Sequence, residues 1–550
     1  MSTNSEPEKI LIGLTVTKEA DFSDWYRQVI LKSELIDYTD ISGCYVLRPN
    51  SYAIWEEIQT YVNSEIKKMG VKNAYFPLFI SKSALETERS HIEGFEPEVA
   101  WITKSGSSIL AEPLAVRPTS ETSMYPLFSN WVKTHRDLPL KINQWCNVVR
   151  WEMKSCMPFI RSREFLWQEG HTCFQTKTDA DAEIQQILNM YADVYENLLA
   201  VPVIQGRKSE REKFAGADYT TTVECFIPTV GKAVQGATAH CLGQNFSKMF
   251  NISIENPDQT KHFVYQNSWG LTTRSIGVMI MVNSDNKGLI LPPKIAPIKV
   301  VIIPCGINSK TTTEQLELIN KTCQQIHMLL NDFNIPTHID DRDNYRVGYK
   351  FNFWEMRGIP IRIEVGLTDI KNHTVCVCRR DTGEKVNIAC DISSEFIEVT
   401  NKAGGKQTIQ YSSDLVAKSQ VDRVERSNKT MTFYESIKDL LQQIQTNMFT
   451  KARIERDAHI IYCNDINKFI NAIQKKDMCL LPWCEEIKCE EEIIGFSKKS
   501  DLTVKSLCIP FDQELAIRAS GNKECTIKDD TKCFYCGNKA KSFTLFGASY

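Results

Sequence analysis

Two arginines stand in sequence surroundings suited to binding a phosphate. Arg150 follows a strand-like apolar run and is itself followed by a polar loop. Arg274 closes the run Gly270–Arg274, where an apolar strand is expected to pass into a helix. A guanidinium offers a planar fork of donors that matches the oxygens of a phosphate. Because the sequence contains neither a Gly-rich phosphate loop nor a dinucleotide fingerprint, nucleotide binding would have to come from these arginines.

The composition indicates a globular protein with about three domains. The chain has 550 residues, of which 42% are hydrophobic and 24% charged, with a net charge of -3. A nucleic-acid partner would therefore need a local basic face. The start, Met1–Lys9, lacks the apolar core of a secretory signal, and no apolar run is long enough to predict a membrane span. With nineteen scattered cysteines, this pattern predicts reduced thiols and a cytoplasmic location.

Punctuating prolines and glycines divide the chain into segments. The sequence predicts a tail over 1–15, a first block over 16–295, a second over 296–402 and a third over 403–550. Pro292, Pro293 and Pro297 mark the first boundary, and the apolar run Lys299–Pro304 just after it predicts a buried parallel strand. The second block alternates strands and helices, which is typical of an α/β domain. Gly404 and Gly405 predict a linker into the third block.

Helical periodicity is clearest in two stretches of the first block. Apolar residues recur at helical spacing from Ser51 to Met69, which predicts a long helix. A second helix is predicted from Asp179 to Leu199, with Asp179 or Asp181 as its N-terminal cap.

Four motifs occur in a fixed order: Arg117–Thr122, Val149–Glu152, Arg163–His171 and Ser268–Arg274. Together they resemble class II aminoacyl-tRNA synthetases, and more narrowly prolyl-tRNA synthetases of the eukaryote-like and archaeal-like type. The resemblance implies an α/β multidomain protein. Its parts would be a catalytic domain with an antiparallel sheet flanked by helices, an α/β anticodon-binding domain and an α+β C-terminal domain. It also implies a homodimer that joins L-proline to tRNA(Pro), with ATP and Mg²⁺.

The implied reaction needs no protein nucleophile, because the amino-acid carboxylate attacks the α-phosphorus of ATP. Positioning and charge neutralisation then do most of the work. By resemblance, Arg150 would hold the α-phosphate and Arg274 the γ-phosphate of a bent ATP, and Arg161 would help to clamp the nucleotide. Glu152 is interpreted as the partner that orients Arg150. The family's remaining ATP contacts match Gln235, Thr238 and Thr272, and Thr272 or Thr273 would also cap the helix that follows.

The expected proline contacts combine a hydroxyl, a carboxylate and a histidine. Thr119 and Glu121 lie two residues apart, so on an extended stretch both side chains face the same way. A hydroxyl and a carboxylate side by side would suit the ring nitrogen of proline, which is a secondary ammonium with two N–H donors. The alternative is that Glu121 is a buried carboxylate paired with Arg117. The remaining expected contacts are His240, Trp167 and Phe95, although an isolated histidine or aromatic residue is more often part of a core.

The run Gln235–His240 needs an irregular strand to act as one site. Thr238 and His240 share a strand face, whereas Gln235 would join them only if a bulge occurred at Gly236. Only about seventy residues separate Trp167 from Gln235, too few for a large inserted editing domain. Since alanine lacks two ring methylenes, worth about 1.6 kcal/mol, discrimination by fit alone is expected to be modest.

Two alternative functions remain open on sequence grounds. A sister synthetase for threonine, glycine or histidine would share both arginines but need a different pocket. A synthetase-derived tRNA-binding or regulatory module would commonly lose an ATP-binding arginine, whereas this chain retains Arg150 and Arg274.

Polar and aromatic residues of the second block match stretches that lie near the anticodon in the family. They are Asp340–Tyr345, Lys350 and Arg357–Pro360. Single-stranded bases are normally read by base-edge hydrogen bonds and by stacking on aromatic rings or Arg planes.

The third block contains two cysteine pairs. Cys484 and Cys489 are separated by four residues, and Cys533 and Cys536 by two. Such pairs predict a structural Zn²⁺ site with four thiolate ligands, which leaves no open position for catalysis. Cys508 and Cys525 lie nearby as alternative ligands, and a set of reduced thiols is the other interpretation.

Overall fold

A computed structural model describes residues 13–89, 99–151, 155–255, 260–390, 396–400, 406–410, 420–499 and 503–550. Phe95, Glu152, the pair Gly404–Gly405 and most of the predicted tail over 1–15 lie outside the described residues.

The strands are named in chain order. Those before residue 283 are β1 (Ile36–Tyr38), β2 (Tyr45–Leu47), β3 (Lys72–Asn73), β4 (Phe79–Ser81), β5 (Trp101–Ser105), β6 (Ser108–Val116), β7 (Leu140–Val149), β8 (Glu164–Phe174), β9 (Ile204–Arg207), β10 (Tyr219–Ile227), β11 (Lys232–Gly243), β12 (Ser253–Glu255), β13 (Lys261–Phe263) and β14 (Tyr265–Thr272). The later strands are β15 (Val300–Pro304), β16 (Thr337–Ile339), β17 (Ile361–Val365), β18 (Thr374–Arg379), β19 (Lys385–Ala389), β20 (Phe396–Thr400), β21 (Lys406–Gln410), β22 (Ile460–Tyr462), β23 (Met478–Trp483), β24 (Lys505–Pro510) and β25 (Ser542–Ser549).

The helices are named in the same way. They are α1 (Phe22–Lys32), α2 (Pro49–Lys68), α3 (Lys82–Arg89), α4 (Glu121–Trp131), α5 (Lys177–Asp193), α6 (Asn245–Met249), α7 (Arg274–Asn283), α8 (Thr313–Asp332), α9 (Val347–Met356), α10 (Leu367–Lys371), α11 (Gln420–Ala458), α12 (Ile466–Gln474), α13 (Ile487–Lys499) and α14 (Leu515–Ser520). A 3₁₀ turn spans His135–Asp137 and a π-helical turn spans Val194–Leu198. Within the described residues, no helix is both long and apolar enough to cross a membrane.

One compact unit comprises residues 1–35 and 283–450. Its central sheet has the order β16-β15-β17-β18-β19, with β15 parallel to β16 and β17, and β18 antiparallel to both neighbours. The predicted buried parallel strand is therefore present as β15, all of whose residues are buried. Helix α1 belongs to this unit, since Trp25 Nε1 donates to the Asp285 carbonyl at 3.0 Å. The residues of α1 fall within the first block predicted from the sequence, 16–295, whereas the structure groups them with residues 283–450.

The other compact unit comprises residues 36–282 and 451–550. Its sheet has the order β22-β23-β25-β24-β9-β10-β11-β14-β8-β7-β3. From β9 to β7 every neighbouring pair is antiparallel, in agreement with the expected catalytic sheet. Strand β24 continues the sheet by pairing antiparallel with β9, Ile509 opposite Arg207 and Pro510 opposite Gly206. The first and third blocks of the sequence thus share one sheet.

Apolar packing holds the catalytic strands and the C-terminal strands together. One buried cluster joins Ile204, Phe226 and Ala233 of the catalytic strands to Leu480 and Leu545 of β23 and β25. Burial of such side chains is the dominant favourable term in folding. The C-terminal strands are therefore a permanent part of the unit that carries the catalytic sheet.

The two predicted long helices exist, with different ends. Helix α2 is confirmed, and it buries Ile54, Trp55, Ile58, Val62 and Ile66, the face predicted from periodicity. Helix α5 begins earlier than expected, because extended Thr176 is its N-terminal cap and its Oγ1 accepts from Asp179 N at 3.2 Å. The assignment of Asp179 or Asp181 as the cap was therefore wrong.

Candidate active site

A cavity of about 290 Å³ lies against the antiparallel sheet and gathers most of the residues singled out from the sequence. Its lining includes Thr119, Glu121, Arg150, Trp167, Gln235, Thr238, His240, Thr272 and Arg274. Arg161 lines a neighbouring cavity of about 250 Å³, which shares Gln235 and Arg274 with the first. Residues distant in sequence meet here because β7, β8, β14 and β11 are neighbours in the sheet.

Thr119 and Glu121 touch, although their backbone differs from the extended stretch that the sequence suggested. Glu121 is the first residue of α4 rather than part of a strand, and the Thr119 hydroxyl donates to Glu121 Oε2. Arg117 is buried and donates instead to the carbonyls of Phe76 and Asn147, at 2.8 and 2.9 Å. The alternative of a Glu121–Arg117 ion pair is therefore wrong, and the Glu121 carboxylate lines the cavity.

Arg150 directly follows β7 and is held over aromatic rings. Its guanidinium carbon lies 5.5 Å from the ring centroid of Phe165 and 5.7 Å from that of Trp167. Its Nε donates to the Pro118 carbonyl at 3.2 Å. Cation–π contacts and this hydrogen bond hold the side chain at the wall of the cavity that Arg150 lines.

Arg274 is the first residue of α7 and lies at the strand-to-helix junction that was predicted. Its Nε donates to the Ile160 carbonyl and its Nη1 to the Gln235 carbonyl, both at 3.1 Å. Burial lowers the pKa of Arg274, and the nearby guanidiniums of Arg150 and Arg161 act in the same direction. The Thr272 hydroxyl accepts from Arg274 N at 3.1 Å, which is the capping contact expected at this helix start.

A bulge is present at Gly236, which is the condition that the sequence set for Gln235 to join Thr238 and His240. Glu224 on β10 pairs with Gln235 and Val223 pairs with Ala237, so Gly236 is the extra residue in β11. A Cβ at Gly236 would lie 2.8 Å from the Tyr195 ring, whose hydroxyl donates to the Gly236 carbonyl at 3.0 Å. This bulge brings Gln235 onto the cavity wall together with Thr238 and His240.

His240 is held between two hydroxyls. Its Nδ1 lies 2.9 Å from Thr220 Oγ1 and its Nε2 lies 3.1 Å from Thr238 Oγ1. Its ring packs against Phe214 with 4.7 Å between centroids. Burial, and to a smaller extent the charge of His171, lowers the pKa of His240 to about 3. The imidazole is therefore neutral at physiological pH and can hydrogen-bond without repelling a cationic ligand.

The four cysteines of the predicted metal site converge. The Sγ atoms of Cys484, Cys489, Cys533 and Cys536 all lie within 4.8 Å of one another. The Cys489–Cys533 and Cys484–Cys536 sulfur distances are 3.7 and 3.6 Å. Tetrahedral Zn²⁺ with Zn–S bonds of about 2.3 Å requires sulfurs about 3.8 Å apart, so the donor set fits this ion. The alternative ligands Cys508 and Cys525 are not members of this group of described residues.

Comparison with known proteins places each part of the chain. Residues 107–283 match the family model of the tRNA synthetase class II core domain (G, H, P, S and T). Residues 299–400 match that of the anticodon binding domain, and residues 466–550 that of the prolyl-tRNA synthetase C-terminal domain.

Similarity to whole proteins extends over nearly the full chain. The proline–tRNA ligase of Encephalitozoon cuniculi is 45% identical, with 99% of this chain and 100% of that protein covered. The chain belongs to the prolyl-tRNA synthetase family. The cytoplasmic proline–tRNA ligase of Arabidopsis thaliana is 47% identical, with 98% of this chain and 91% of that protein covered. The crystal structure of Cryptosporidium parvum prolyl-tRNA synthetase complexed with L-proline and AMP superposes with a TM-score of 0.85 at 45% identity, covering 100% and 99% of the two chains.

Sequence reasoning missed two charged residues of the cavity in this member of the prolyl-tRNA synthetase family. Glu169 and His171 lie on β8 and are almost fully buried. Glu169 accepts hydrogen bonds from Ser120 Oγ and from Gln144 Nε2, the latter at 3.0 Å. The alternation of a strand puts both residues on the face that carries Trp167, so this period of two could have identified them.

The protonation states in this network are set by the pairing of Glu169 with His171. Although burial acts against it, hydrogen bonding to Glu169 and the charges of Glu121 and Glu169 raise the pKa of His171. Burial likewise opposes ionisation of Glu169, but His171, Ser120 and Gln144 lower its pKa. Both shifts favour the ionic form of the pair, and the Tyr125 hydroxyl lies 3.0 Å from His171 Nδ1.

Trp269 is another part of the cavity wall that the sequence did not indicate. It faces Gly170 on the neighbouring strand β8, and a Cβ at Gly170 would lie 2.2 Å from the indole. Only glycine gives the indole room at this position.

In the unit that contains the anticodon-binding region, α9 and the residues just before it carry a stack of rings. Tyr345 and Tyr349 stack with centroids 4.3 Å apart. The guanidinium of Arg342 lies 5.0 Å from the Tyr345 centroid and 4.3 Å from that of Phe353. Buried Asp340 orients Arg342 by accepting two hydrogen bonds at 2.8 and 2.7 Å. Tyr345 is exposed, so this stack offers a flat surface to solvent.

Proposed function

We propose that the chain activates L-proline with ATP to form prolyl-adenylate and then transfers the prolyl group to the 3′ end of tRNA(Pro). The main support for this proposal is that Glu121, Arg150 and Arg274 line the same cavity. A cationic amino group and an anionic triphosphate can bind there side by side. Because both arginines are retained in the cavity, a non-catalytic module is disfavoured, and the relatives named for proline disfavour a threonine, glycine or histidine enzyme.

Proline would be recognised through its secondary ammonium. Its two N–H donors match the Glu121 carboxylate and the Thr119 hydroxyl, which already contact each other. Neutral His240 adds a polar group without adding positive charge, and Trp167 supplies an apolar wall for the ring. Phe95, the other expected wall, lies outside the described residues.

The activation step needs cationic side chains that bind the phosphates of ATP and neutralise their charge. One carboxylate oxygen of proline attacks the α-phosphorus, the bond to the β-phosphate oxygen breaks, and pyrophosphate leaves with the electron pair. We assign the α-phosphate to Arg150 and the γ-phosphate to Arg274 and Arg161. The adenosine would lie beside Gln235, Thr238 and Thr272, and ATP would enter as its Mg²⁺ complex. Fixed guanidiniums stabilise the charge that develops, without reorganising during the reaction.

The second step uses the same cavity. The 3′-terminal hydroxyl of the tRNA attacks the carbonyl carbon of prolyl-adenylate, and AMP leaves. The stack of Tyr345, Tyr349 and Arg342 is proposed to bind unpaired anticodon bases, because sequence-specific RNA recognition relies on aromatic and guanidinium planes of this kind.

The C-terminal site is proposed to hold structural Zn²⁺ through Cys484, Cys489, Cys533 and Cys536. Four thiolates complete the coordination of the ion, so its role would be to stabilise the fold. The sulfur distances and the burial of three of the four cysteines support this assignment.

The assembly is proposed to be a homodimer in the cytoplasm. Exposed apolar side chains of the catalytic unit support a partner copy: Tyr75 is 73% exposed, Phe79 51% and Trp131 45%. The cytoplasmic location is supported by the name of the Arabidopsis relative.

Replacement of Glu121 by Gln tests the assignment of the proline site. Loss of the carboxylate that pairs with the ammonium is expected to raise the KM for proline at least roughly a hundredfold in ATP–pyrophosphate exchange, with the KM for ATP within about twofold. Glu112→Gln is the matched control, because Glu112 is an exposed carboxylate that accepts from Ser83 N. An unchanged KM for proline in Glu121→Gln would remove the assignment.

A further inference from the structure

The second cavity, of about 250 Å³, is lined by residues from both chain segments of the unit that comprises residues 36–282 and 451–550. The catalytic part contributes Arg161, Lys208 and Arg274, and the C-terminal part contributes Lys505 and Tyr550. It meets the first cavity at a wall that both share, formed by Glu212, Gln235 and Arg274. The two cavities are therefore adjacent, and Arg274 lines both of them.

Positive charge exceeds negative charge around this second cavity. Lys208 is neutralised by Glu224, with 2.6 Å between Nζ and Oε1, and Glu212 pairs with Arg211 at 3.1 Å. Among the described residues, no carboxylate lies within 4.0 Å of the cationic groups of Arg161, Arg274 or Lys505. Three cationic groups thus line a space large enough for a polyphosphate, and none of them has a carboxylate partner in the part of the chain that the structure describes.

Lys505 is fixed in place by the continuous sheet. It is the first residue of β24, where it pairs with Gly547 of β25. Two residues later, the Leu507 carbonyl accepts a hydrogen bond from Lys208 Nζ at 2.6 Å. Ser209 and Ser506 hydroxyls lie 3.2 Å apart, and both donate to buried Glu490. The strand that carries Lys505 is therefore joined directly to the catalytic segment that carries Lys208.

The electrostatic setting of Lys505 favours an anion beside it. Burial lowers the pKa of Lys505, and the positive charges of Lys208 and Arg161 add to this effect, although Glu212 and Glu224 oppose it. A bound anion would relieve the repulsion among these cations, because opposite charge close to an ammonium stabilises its charged form.

We propose that Lys505 is a binding residue for the pyrophosphate half of ATP, so that the C-terminal domain completes the nucleotide site of the catalytic domain. The inference rests on the proposed activation reaction. When the bond between the α-phosphorus and the bridging oxygen breaks, the electron pair stays on pyrophosphate. The ammonium of Lys505 then donates to that polyanion together with Arg161 and Arg274.

The test follows the reverse reaction with inorganic pyrophosphate as the probe. The enzyme carrying prolyl-adenylate is mixed with increasing pyrophosphate, and ATP formation is measured for wild type, Lys505→Met and Lys505→Arg. Loss of one charge-assisted contact is expected to raise the KM for pyrophosphate by roughly ten- to a hundredfold in Lys505→Met. Lys505→Arg should restore it to within a few-fold, and Lys523→Met, which removes an exposed lysine of the same domain, should leave it unchanged.

Two further readouts separate binding from a structural role. If Lys505 binds pyrophosphate, the KM for proline and the rate of prolyl transfer from preformed adenylate to tRNA stay within about twofold of wild type. An unchanged KM for pyrophosphate in Lys505→Met would overturn the proposal. It would also be overturned if the KM values for pyrophosphate and for proline rose equally in that variant and its Tm fell. Failure of the underlying reaction is distinguishable, because then the wild-type chain itself would show no proline-dependent exchange.

Discussion

Glu169 and His171 form an ion pair inside the wall of the cavity, with 3.0 Å between Oε2 and Nε2. The two residues are only 2% and 1% exposed. Breaking a buried pair by removing one partner leaves the other charge uncompensated and typically costs about 3–5 kcal/mol. Ser120, which donates to Glu169, directly precedes Glu121, so the pair also fixes the start of α4 where the proposed proline ligand lies.

Replacement of Glu169 by Gln is therefore expected to weaken proline binding. The variant loses the charge that raises the pKa of His171, and the Ser120 contact is altered. We expect the KM for proline to rise roughly tenfold or more in ATP–pyrophosphate exchange, with a lowered Tm. Glu164→Gln on the same strand is the control, since Glu164 is exposed and is expected to leave both values unchanged. A wild-type KM for proline in Glu169→Gln would contradict this role.

The lowered pKa of His240 gives a pH prediction with a definite sign. The unfolded chain takes up this proton near pH 6.5, whereas folded His240 does so only near its pKa of about 3. The contribution of His240 to the free energy of unfolding therefore falls as the pH drops through that window. His171 acts in the opposite sense, because its contribution is complete below pH 6.5 and is lost as the pH rises through its raised pKa.

Nuclear magnetic resonance of the imidazole carbons measures the pKa of folded His240 directly. The chain has nine histidines, and the His240 signal can be assigned by its disappearance in His240→Asn. Between pH 8 and about pH 5 this signal is expected to keep the position of a neutral ring. Titration of the His240 signal near pH 6.5 would show that the ring is not held neutral by its surroundings.

The cysteine cluster predicts one bound metal ion per chain. Purified protein is expected to contain one equivalent of Zn²⁺ by elemental analysis. Cys533→Ser should lose the ion and lower the Tm of the unit that contains the catalytic sheet, because metal binding energy contributes to folding. Cys525→Ser is the matched control, since Cys525 is buried nearby but lies outside the cluster. Retention of a full equivalent in Cys533→Ser would exclude the proposed ligand set.

The contact between Gly170 and Trp269 predicts a steric effect. A Cβ at Gly170 would lie 2.2 Å from the indole, so Gly170→Ala must displace the tryptophan from the cavity wall. Overpacking of this kind usually costs about 1–3 kcal/mol, and we expect a Tm lowered by several degrees. Gly495→Ala is the control in the same unit, because nothing lies within 4 Å of its Cβ position and Gly495 is in helix α13. That variant should be neutral or slightly stabilising. Equal stability of the two variants would refute the steric argument.

Local patterns predicted the parts of the site that depend on neighbouring residues. The position of Arg274 at a strand-to-helix junction and the bulge at Gly236 follow from the sequence within a few residues. Thr119 and Glu121 were paired correctly, although the chain there begins a helix. The reason is that Ser120, the residue before Glu121, is fixed by a tertiary hydrogen bond to Glu169, which strand periodicity does not include.

Pairings between distant segments could not be read from the sequence. The contribution of Lys505 to a cavity beside Arg274 arises because β24 joins the catalytic sheet at β9, and no local pattern specifies this register. The cysteine spacing likewise left Cys508 and Cys525 open as ligands, and only the packing of β23, α13 and the last loop selected four of the six.

The most direct test of the proposed function is ATP–pyrophosphate exchange with proline, alanine, cysteine and threonine supplied separately. We expect strong exchange with proline and weak exchange with alanine, since two methylenes are worth only about 1.6 kcal/mol. Arg150→Ala should abolish the proline signal. Strong exchange with threonine but none with proline would contradict the assigned substrate, and no exchange with any of the four would contradict the catalytic function.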